Sequence, residues 1–201
     1  MCGGDIMNTI DTIRGRRSLA RLHGEIPEET IAELVELATM APNHHMTEPW
    51  LFTVVTGEAR YVLGEEWSKV VASESPTTGE ARDALILAAQ KLFLRAPVLI
   101  VVSVVQTPGN DVQNAEDFAA TSAAIQNLLL SAWDLGIGSR WRTGAMAYHP
   151  EFRQILGLDA NHRIVGIVYL GYRSEDEPLP SAPARSRSVV QWFGGKESSH
   201  A

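Results

Sequence analysis

Residues 117–138 read DFAATSAAIQNLLLSAWDLGIG, and this stretch predicts the helix around which the rest of the chain packs. Its apolar residues recur at helical spacing, and its many alanines allow such a helix to approach its neighbours closely. Gly136 is the expected stop, because glycine readily takes the left-handed conformation that ends many helices. We therefore predict a buried core helix from Asp117 to Leu135.

Apolar segments on either side of this helix have the composition of strands. Residues 97–105 (PVLIVVSVV) and 164–170 (IVGIVYL) are apolar at successive positions, as expected of interior strands covered on both faces. Residues 50–56 (WLFTVVT) are β-branched and aromatic, and residues 137–142 follow the core helix as a short strand. Because strands and helices do not alternate in regular units, the sequence predicts an α+β sandwich with a mixed central sheet flanked by helices.

Other helices are predicted from the spacing of apolar residues. They are a short helix with Ile6, Ile10 and Ile13 on one face, a helix between Pro27 and Pro42, helices around residues 62–71 and 84–92, and a helix over residues 150–156.

We expect a single domain over residues 1–201, with a proline-rich tail from residue 176 onward. The prolines of the tail are followed by Val189, Val190, Trp192 and Phe193, whose apolar side chains need to be buried. A partner subunit can cover them, and folding back onto the same chain is the alternative.

The charge balance excludes several classes of function. The 201 residues include 17 Lys and Arg against 24 Asp and Glu, so the formal net charge is −7 and the whole molecule does not attract nucleic acid or anionic membranes. Cys2 is the single cysteine, which rules out a disulfide framework or a thiolate metal cage. No apolar run reaches the roughly 18 residues of a membrane helix. We expect a cytoplasmic protein with no nucleic-acid or membrane partner.

Arg16, Arg17 and Ser18 form the densest basic segment of this acidic chain. Guanidinium groups and a hydroxyl bind a phosphate monoester through charge-assisted hydrogen bonds. The segment is therefore a candidate phosphate site, with a solvated basic turn as the alternative. Arg185 and Arg187 in the tail could reach the same phosphate or keep the tail soluble.

The loop over residues 43–50, NHHMTEPW, is a second candidate. His44, His45 and Glu48 could form a metal site, although adjacent side chains in an extended loop point apart and the ligand spacing is not a standard one. The loop could instead wrap a flat polar ligand, or its histidines could simply be solvated at the surface.

Residues 136–144, GIGSRWRTG, place two arginines and an indole after the core helix. They do not form a dinucleotide-binding fingerprint, because the third glycine and the preceding strand are missing. The chain also lacks a phosphate-binding P-loop and a serine nucleophile elbow, which removes sequence support for nucleotide hydrolysis and for the common serine hydrolases.

The order of these motifs resembles that of the nitroreductase family of flavin enzymes, and especially of its short members, from about Ile10 to Phe193. The motifs that carry the resemblance are Arg16-Arg17-Ser18, Ala41-Pro42-Asn43-His44 through Pro49-Trp50, and Trp141-Arg142-Thr143-Gly144. The resemblance implies a homodimer with FMN at the subunit interface. It also implies ping-pong transfer of electrons from NAD(P)H to a nitroaromatic, quinone or similar small-molecule acceptor, with no catalytic side chain and no metal.

The resemblance further implies a role for each matching residue. Arg16, Arg17 and Ser18 would hold the phosphate and ribityl chain of FMN, and Asn43 and His44 would approach the flavin from the second subunit. Trp141, Arg142, Thr143 and Gly144 would run past the flavin, with a backbone donor directed toward its N5 atom. Arg187, and less directly Arg185, match cations that some longer members place on the phosphate.

The chain departs from the family pattern at several positions. Ala20 stands where many members carry a cation beside flavin N1, with Arg21 one place further on, and Met46 and Glu48 replace the usual Asn and Gln. We expect an apolar slot over the flavin, lined by Trp141, Met46 and the helix over residues 61–67. Two other functions remain open, a flavin-binding protein without turnover and a metal-dependent enzyme that uses His44, His45 and Glu48.

Overall fold

Four antiparallel strands form the central sheet of the protein, in the order β1-β2-β4-β3. The computed structural model describes residues 8–174, 176, 178–182, 192 and 193. The strands are β1 (Trp50–Thr56), β2 (Val98–Val105), β3 (Gly138–Arg142) and β4 (His162–Gly171).

Six α-helices connect and flank these strands within the described residues. They are α1 (Thr9–Gly15), α2 (Glu28–Thr39), α3 (Ala59–Glu74), α4 (Gly79–Lys91), α5 (Asp111–Asp134) and α6 (Pro150–Ile155). Short 3₁₀ helices cover His44–Met46, Leu92–Leu94 and Ala145–Tyr148. No helix in this part of the chain combines the length and the apolar character needed to cross a membrane.

The α+β architecture agrees with the prediction, but the mixed sheet does not. All hydrogen-bonded neighbours among the four strands run antiparallel, and the described parallel contact is an isolated bridge between Ser18 and Ser139. An apolar strand pattern indicates burial on both faces and carries no information on strand direction. The prediction therefore identified the interior strands β2 and β4 without fixing their relative orientation.

The sheet separates two hydrophobic cores. On one face, α2 and α5 pack through residues such as Leu34, Ile125 and Leu128. On the other face, α3, α4 and α6 contribute residues such as Trp67 and Phe152. Because both faces are covered, β2 is buried at every position except its last residue, Val105.

The core helix α5 begins six residues earlier than predicted. The side chain of Asn110 accepts a hydrogen bond from the amide of Gln113 and so caps the helix, which stabilises a polar first turn. The apolar pattern starts only at about residue 117, so it missed this turn. With 24 residues, α5 spans about 36 Å.

The two outer strands, β1 and β3, have different surroundings. Among the described residues β1 pairs with β2 alone, whereas the outer edge of β3 meets Ser18. The surface also carries exposed apolar side chains, including Ile10, Ile13, Met40, Leu51 and Val54.

Candidate functional site

The basic segment Arg16-Arg17-Ser18 lies against the edge strand β3. Ser18 forms the parallel bridge with Ser139, and the amide of Leu19 donates a hydrogen bond to the carbonyl oxygen of Ser139 at 3.0 Å. Two motifs that are far apart in sequence, the basic segment and residues 138–144, therefore meet along one strand.

Helix α1 sets the position of this basic segment. The side chain of Asn8 caps its N-terminus, and the hydroxyl of Thr12 donates to Asp134 at 3.2 Å, which ties α1 to the end of α5. At Gly15, an added Cβ would lie 3.2 Å from the indole nitrogen of Trp133, so the absence of a side chain lets α1 approach α5 closely.

Arg17 partly serves the helix rather than a ligand. Its Nη1 atom donates to the carbonyl oxygens of Arg14 at 2.6 Å, Gly15 at 3.0 Å and Arg16 at 3.0 Å. A cation on these terminal carbonyls stabilises the helix end. Arg16 and Arg17 are partly buried, and Ser18 is exposed.

Trp141 lies over a glycine of the neighbouring strand. A Cβ on Gly166 would fall 1.9 Å from the indole nitrogen of Trp141, so only glycine leaves space for the ring. Trp141 is 36% exposed, so part of its side chain remains accessible at the surface.

After β3 the chain offers free backbone donors. Gly144 has a φ of 133°, a conformation that favours glycine. Within the described part of the chain, the amides of Thr143 and Gly144 donate no backbone hydrogen bond, while the carbonyl oxygen of Gly144 accepts one from Ala147. Two adjacent amide donors are therefore available to a ligand.

Three arginines surround Tyr169 on the face of the sheet covered by α3, α4 and α6. Arg140 pairs directly with Tyr169 across the strands, and Arg142 lies two residues further along the same face. Burial raises the pKa of the Tyr169 hydroxyl, and the guanidinium groups of Arg142, Arg95 and Arg140 oppose this shift. These cations strengthen the positive potential beside the basic segment.

The loop over residues 43–48 is strained and is held by its own side chains. His45, Met46 and Glu48 have positive φ values of 61°, 51° and 45°, which side-chain-bearing residues rarely adopt. The side chain of Asn43 accepts from the amide of Glu48 at 2.7 Å and donates to the Thr47 hydroxyl at 3.0 Å. Such strain persists where surrounding contacts enforce it, and it is concentrated at functional sites.

Helix α5 anchors this loop. The Thr47 hydroxyl donates to the buried carboxylate of Asp117 at 2.6 Å, and Nδ1 of His44 lies 2.9 Å from a carboxylate oxygen of Glu116. The rings of His44 and His45 stack with their centroids 3.8 Å apart.

The histidine loop does not gather metal ligands as one of the sequence hypotheses required. Among the described residues, the group of three side chains whose ligand atoms come within 4.8 Å of one another is Glu74, His149 and Glu151. That group does not include His44, His45 or Glu48, so the geometry gives the metal hypothesis at this loop no support.

The two halves of the expected flavin site lie at opposite ends of α5 within one chain. Asp117 contacts the residue 43–48 loop, and Asp134 contacts α1 just before the basic segment. At about 1.5 Å per residue, the two aspartates are separated by about 25 Å along the helix.

The structure places the other residues that were expected near the flavin in different surroundings. Trp67, expected to line the slot, is buried against Phe152 and His149 in the core, because α3 turns this face toward α6. Tyr61 and Met46 are exposed. Arg185 and Arg187 lie outside the described residues, as does most of the tail.

Sequence reasoning missed Asp117, Arg95 and Tyr169. The arginines at 140 and 142 could have been recognised as sharing a face, since alternate residues of a strand point the same way. Nothing local in the sequence pairs Thr47 with Asp117, because the two are distant in the chain.

Comparisons with known proteins support the family that the order of the motifs indicated. A family model described as "Nitroreductase family" matches residues 13–172. YfhC of Bacillus subtilis, which is named as an NAD(P)H nitroreductase, is 35% identical over 182 residues, with 88% of this chain and 91% of YfhC covered.

Solved structures share the fold. A nitroreductase-like family protein from Bacillus cereus has a TM-score of 0.77 and 32% identity, and the match covers 92% of this chain and 97% of that one. A nitroreductase from Bacteroides fragilis with bound FMN has a TM-score of 0.68 and 26% identity, covering 92% of this chain and 100% of that one.

Proposed function

Because this chain belongs to the nitroreductase family, we propose that it is an FMN-dependent oxidoreductase that transfers electrons from NAD(P)H to a small-molecule acceptor. The family match covers most of the chain, and similar proteins are named for NAD(P)H oxidation or contain FMN. We further propose nitroaromatics or quinones as acceptors and the cytoplasm as the location.

The observation that carries the proposal is the contact between Ser18 and Ser139, which brings the basic segment to the strand that leads into Thr143 and Gly144. Arg16 and Ser18 would bind the FMN phosphate and ribityl chain at one end. The free amides of Thr143 and Gly144 would donate to the isoalloxazine at the other. Arg17 would contribute only the guanidinium donors that it does not use on α1.

Bound FMN would supply the redox chemistry, accepting a hydride from NAD(P)H and passing two electrons to the acceptor in separate half-reactions. The chain's own residues would bind the FMN, orient it and polarise its ring. The guanidinium groups of Arg140 and Arg142 would place positive charge near the proposed flavin position, and this charge would compensate for Ala20, where the family resemblance places a cation.

The length of α5 supports a site shared by two subunits. Asn43 and His44 are too far from Arg16 within one chain to reach the same flavin, so in our proposal they come from a second copy. The exposed Ile10, Ile13 and Met40 side chains supply apolar surface for such a homodimer.

Substitution of Arg16 tests the cofactor site. We expect Arg16→Ala to weaken FMN binding by about tenfold or more, since a hydrogen bond to a charged group contributes about 1.5–3 kcal/mol. Flavin released on denaturation measures occupancy, and Arg82→Ala, which alters an exposed arginine of α4, is the control. Unchanged occupancy in the Arg16 variant would remove this residue from the site.

Mixed dimers test the shared site. Heterodimers of one Arg16→Ala chain and one Asn43→Ala chain, separated from the homodimers after coexpression, have one doubly altered site and one intact site, so we expect about half of the wild-type occupancy and activity in them. If each site lies within one chain, every site carries one defect and neither property recovers.

Bleaching of the bound flavin by NADH or NADPH separates an enzyme from a flavin-binding protein without turnover.

A further inference from the structure

A small cavity of about 140 Å³ lies outside the proposed flavin site, between the start of β4, the end of β2 and the 3₁₀ helix Ala145–Tyr148. We call it the Arg153 cavity. Its polar wall consists of Gln106, Tyr148, His149, Arg153, His162 and Arg163.

Two nitrogen atoms at this wall are buried without a hydrogen-bond partner among the described residues. They are Nε of Arg153 and Nδ1 of His162. A buried polar atom without a partner costs free energy, so such atoms are normally satisfied by a ligand or by water. The Nε atom of Arg153 is a donor, and Nδ1 of His162 donates in one tautomer of the ring, so an occupant that accepts hydrogen bonds can satisfy both atoms.

The charges at this wall favour an anion. Within the described residues no carboxylate forms an ion pair with Arg153 or Arg163, and the guanidinium of Arg163 lies 4.5 Å from the centroid of the Phe118 ring. The nearby carboxylates of Glu74 and Glu151 contact His149 instead, at 3.0 Å from Nε2 and 2.7 Å from Nδ1. Among the described residues the guanidinium of Arg153 therefore has no carboxylate partner, in a protein of net charge −7, whereas that of Arg163 stacks on Phe118.

We propose that the Arg153 cavity binds a phosphate group. Arginine donors match phosphate oxygens in geometry and charge, and the side-chain amide of Gln106 and the ring of His162 can supply further hydrogen bonds. The volume suits a tetrahedral oxyanion, because pockets for larger organic ligands usually occupy about 300 Å³ or more.

The cavity lies near the proposed flavin site, so two sources of this phosphate are distinguished. The 3₁₀ helix that forms one wall follows Gly144 directly, and His162 lies about 16 Å along β4 from Ile167, the residue paired with Arg142. The phosphate can therefore be the 2′-phosphate of NADPH, which rests on the proposed function, or inorganic phosphate, which does not.

Titration of the flavin-loaded protein with inorganic phosphate in a phosphate-free buffer tests the site directly. We expect saturable binding to the wild type and about tenfold or more weaker binding to Arg153→Gln and to His162→Gln. Arg82→Gln makes the same change in charge at an exposed position of α4 and should bind as the wild type does. Circular dichroism confirms that each variant is folded.

Steady-state kinetics with NADPH and with NADH identify the source of the phosphate. If the phosphate belongs to NADPH, Arg153→Gln lowers kcat/KM for NADPH about tenfold and leaves that for NADH unchanged. If it is inorganic phosphate, both values stay constant while phosphate affinity falls.

The proposal is overturned if the wild type and Arg153→Gln bind phosphate equally well. It is also overturned if the wild type binds none and the ratio of NADPH to NADH efficiency is the same in both proteins. A protein that fails to reduce flavin would contradict the proposed function, yet the phosphate titration would still decide the existence of this site.

Discussion

At the scale of single residues, the contact between Trp141 and Gly166 shows how one missing side chain shapes the candidate site. The indole occupies the space above the Gly166 backbone, and the carbonyl oxygen of Arg142 would also lie within 3.1 Å of a Cβ there. Glycine in a strand interior often marks such a close approach. The orientation of the Trp141 side chain therefore depends on a residue of the neighbouring strand.

We predict that Gly166→Ala displaces the indole of Trp141. The added methyl group overpacks the contact, so the free energy of unfolding should fall by about 1–3 kcal/mol, together with a shift in tryptophan fluorescence. Urea unfolding measures the first effect. In the double variant Trp141→Ala/Gly166→Ala the methyl group has room, and its cost should be smaller. Equal costs in both backgrounds would contradict the steric argument.

The sequence could identify the residue types at the candidate site but not all of their contacts. Arg16, Ser18 and Thr143 are recognisable from their motifs, and the structure places Ser18 at the edge of β3, the strand that leads into Thr143. The use of Arg17 on the carbonyls of α1 could not be predicted, because it depends on a side-chain conformation at the helix end. The partnership of Thr47 with Asp117 arises from packing between distant segments.

At the scale of elements, α5 positions both ends of the candidate site, and the residue 43–48 loop depends on it. The loop keeps three positive φ values because two hydrogen bonds hold it in place. The Asn43 side chain accepts one from the amide of Glu48, and Asp117 accepts the other from the Thr47 hydroxyl. Sequence pattern predicted an irregular loop here, since periodicity shows only that a regular element is absent. The strained conformation itself required the tertiary contact to α5.

We predict that Thr47→Val releases this loop. Valine keeps the shape of threonine but leaves a buried carboxylate oxygen of Asp117 without its donor, which should cost about 1–3 kcal/mol in the free energy of unfolding. Flavin occupancy should fall as well if the loop contacts the cofactor. Thr39→Val is the control, because the Thr39 hydroxyl contacts only a carbonyl of its own helix. The same loss of stability in both variants would show that the hydrogen bond from Thr47 to Asp117 adds nothing to the free energy of unfolding beyond that of a local hydrogen bond.

At the scale of the whole molecule, the buried Tyr169 links stability to alkaline pH. Burial raises its pKa above the ordinary value of 10.0 in the folded protein, so the folded state keeps the proton at a pH where the unfolded chain releases it. The stabilising contribution is complete below pH 10 and is lost as pH rises through the folded-state pKa.

We therefore predict that Tyr169→Phe flattens the decline of stability above pH 10. The wild-type protein should lose up to about 1.4 kcal/mol more per pH unit than the variant in that range, and the two curves should run parallel at neutral pH. Denaturant unfolding between pH 7 and pH 11 provides the comparison. Parallel curves over the whole range would show that the unfolded and folded states hold this proton equally.

The position of β1 at the edge of the sheet has a consequence for the tendency of the chain to aggregate. Its sequence, WLFTVVT, contains neither charge nor proline, and among the described residues one side of its backbone has no strand beside it. Such an edge is a template for the addition of foreign strands, and segments of this composition stack into amyloid. This edge is therefore a point at which copies of the chain can aggregate, and a partner that covered it would protect the fold.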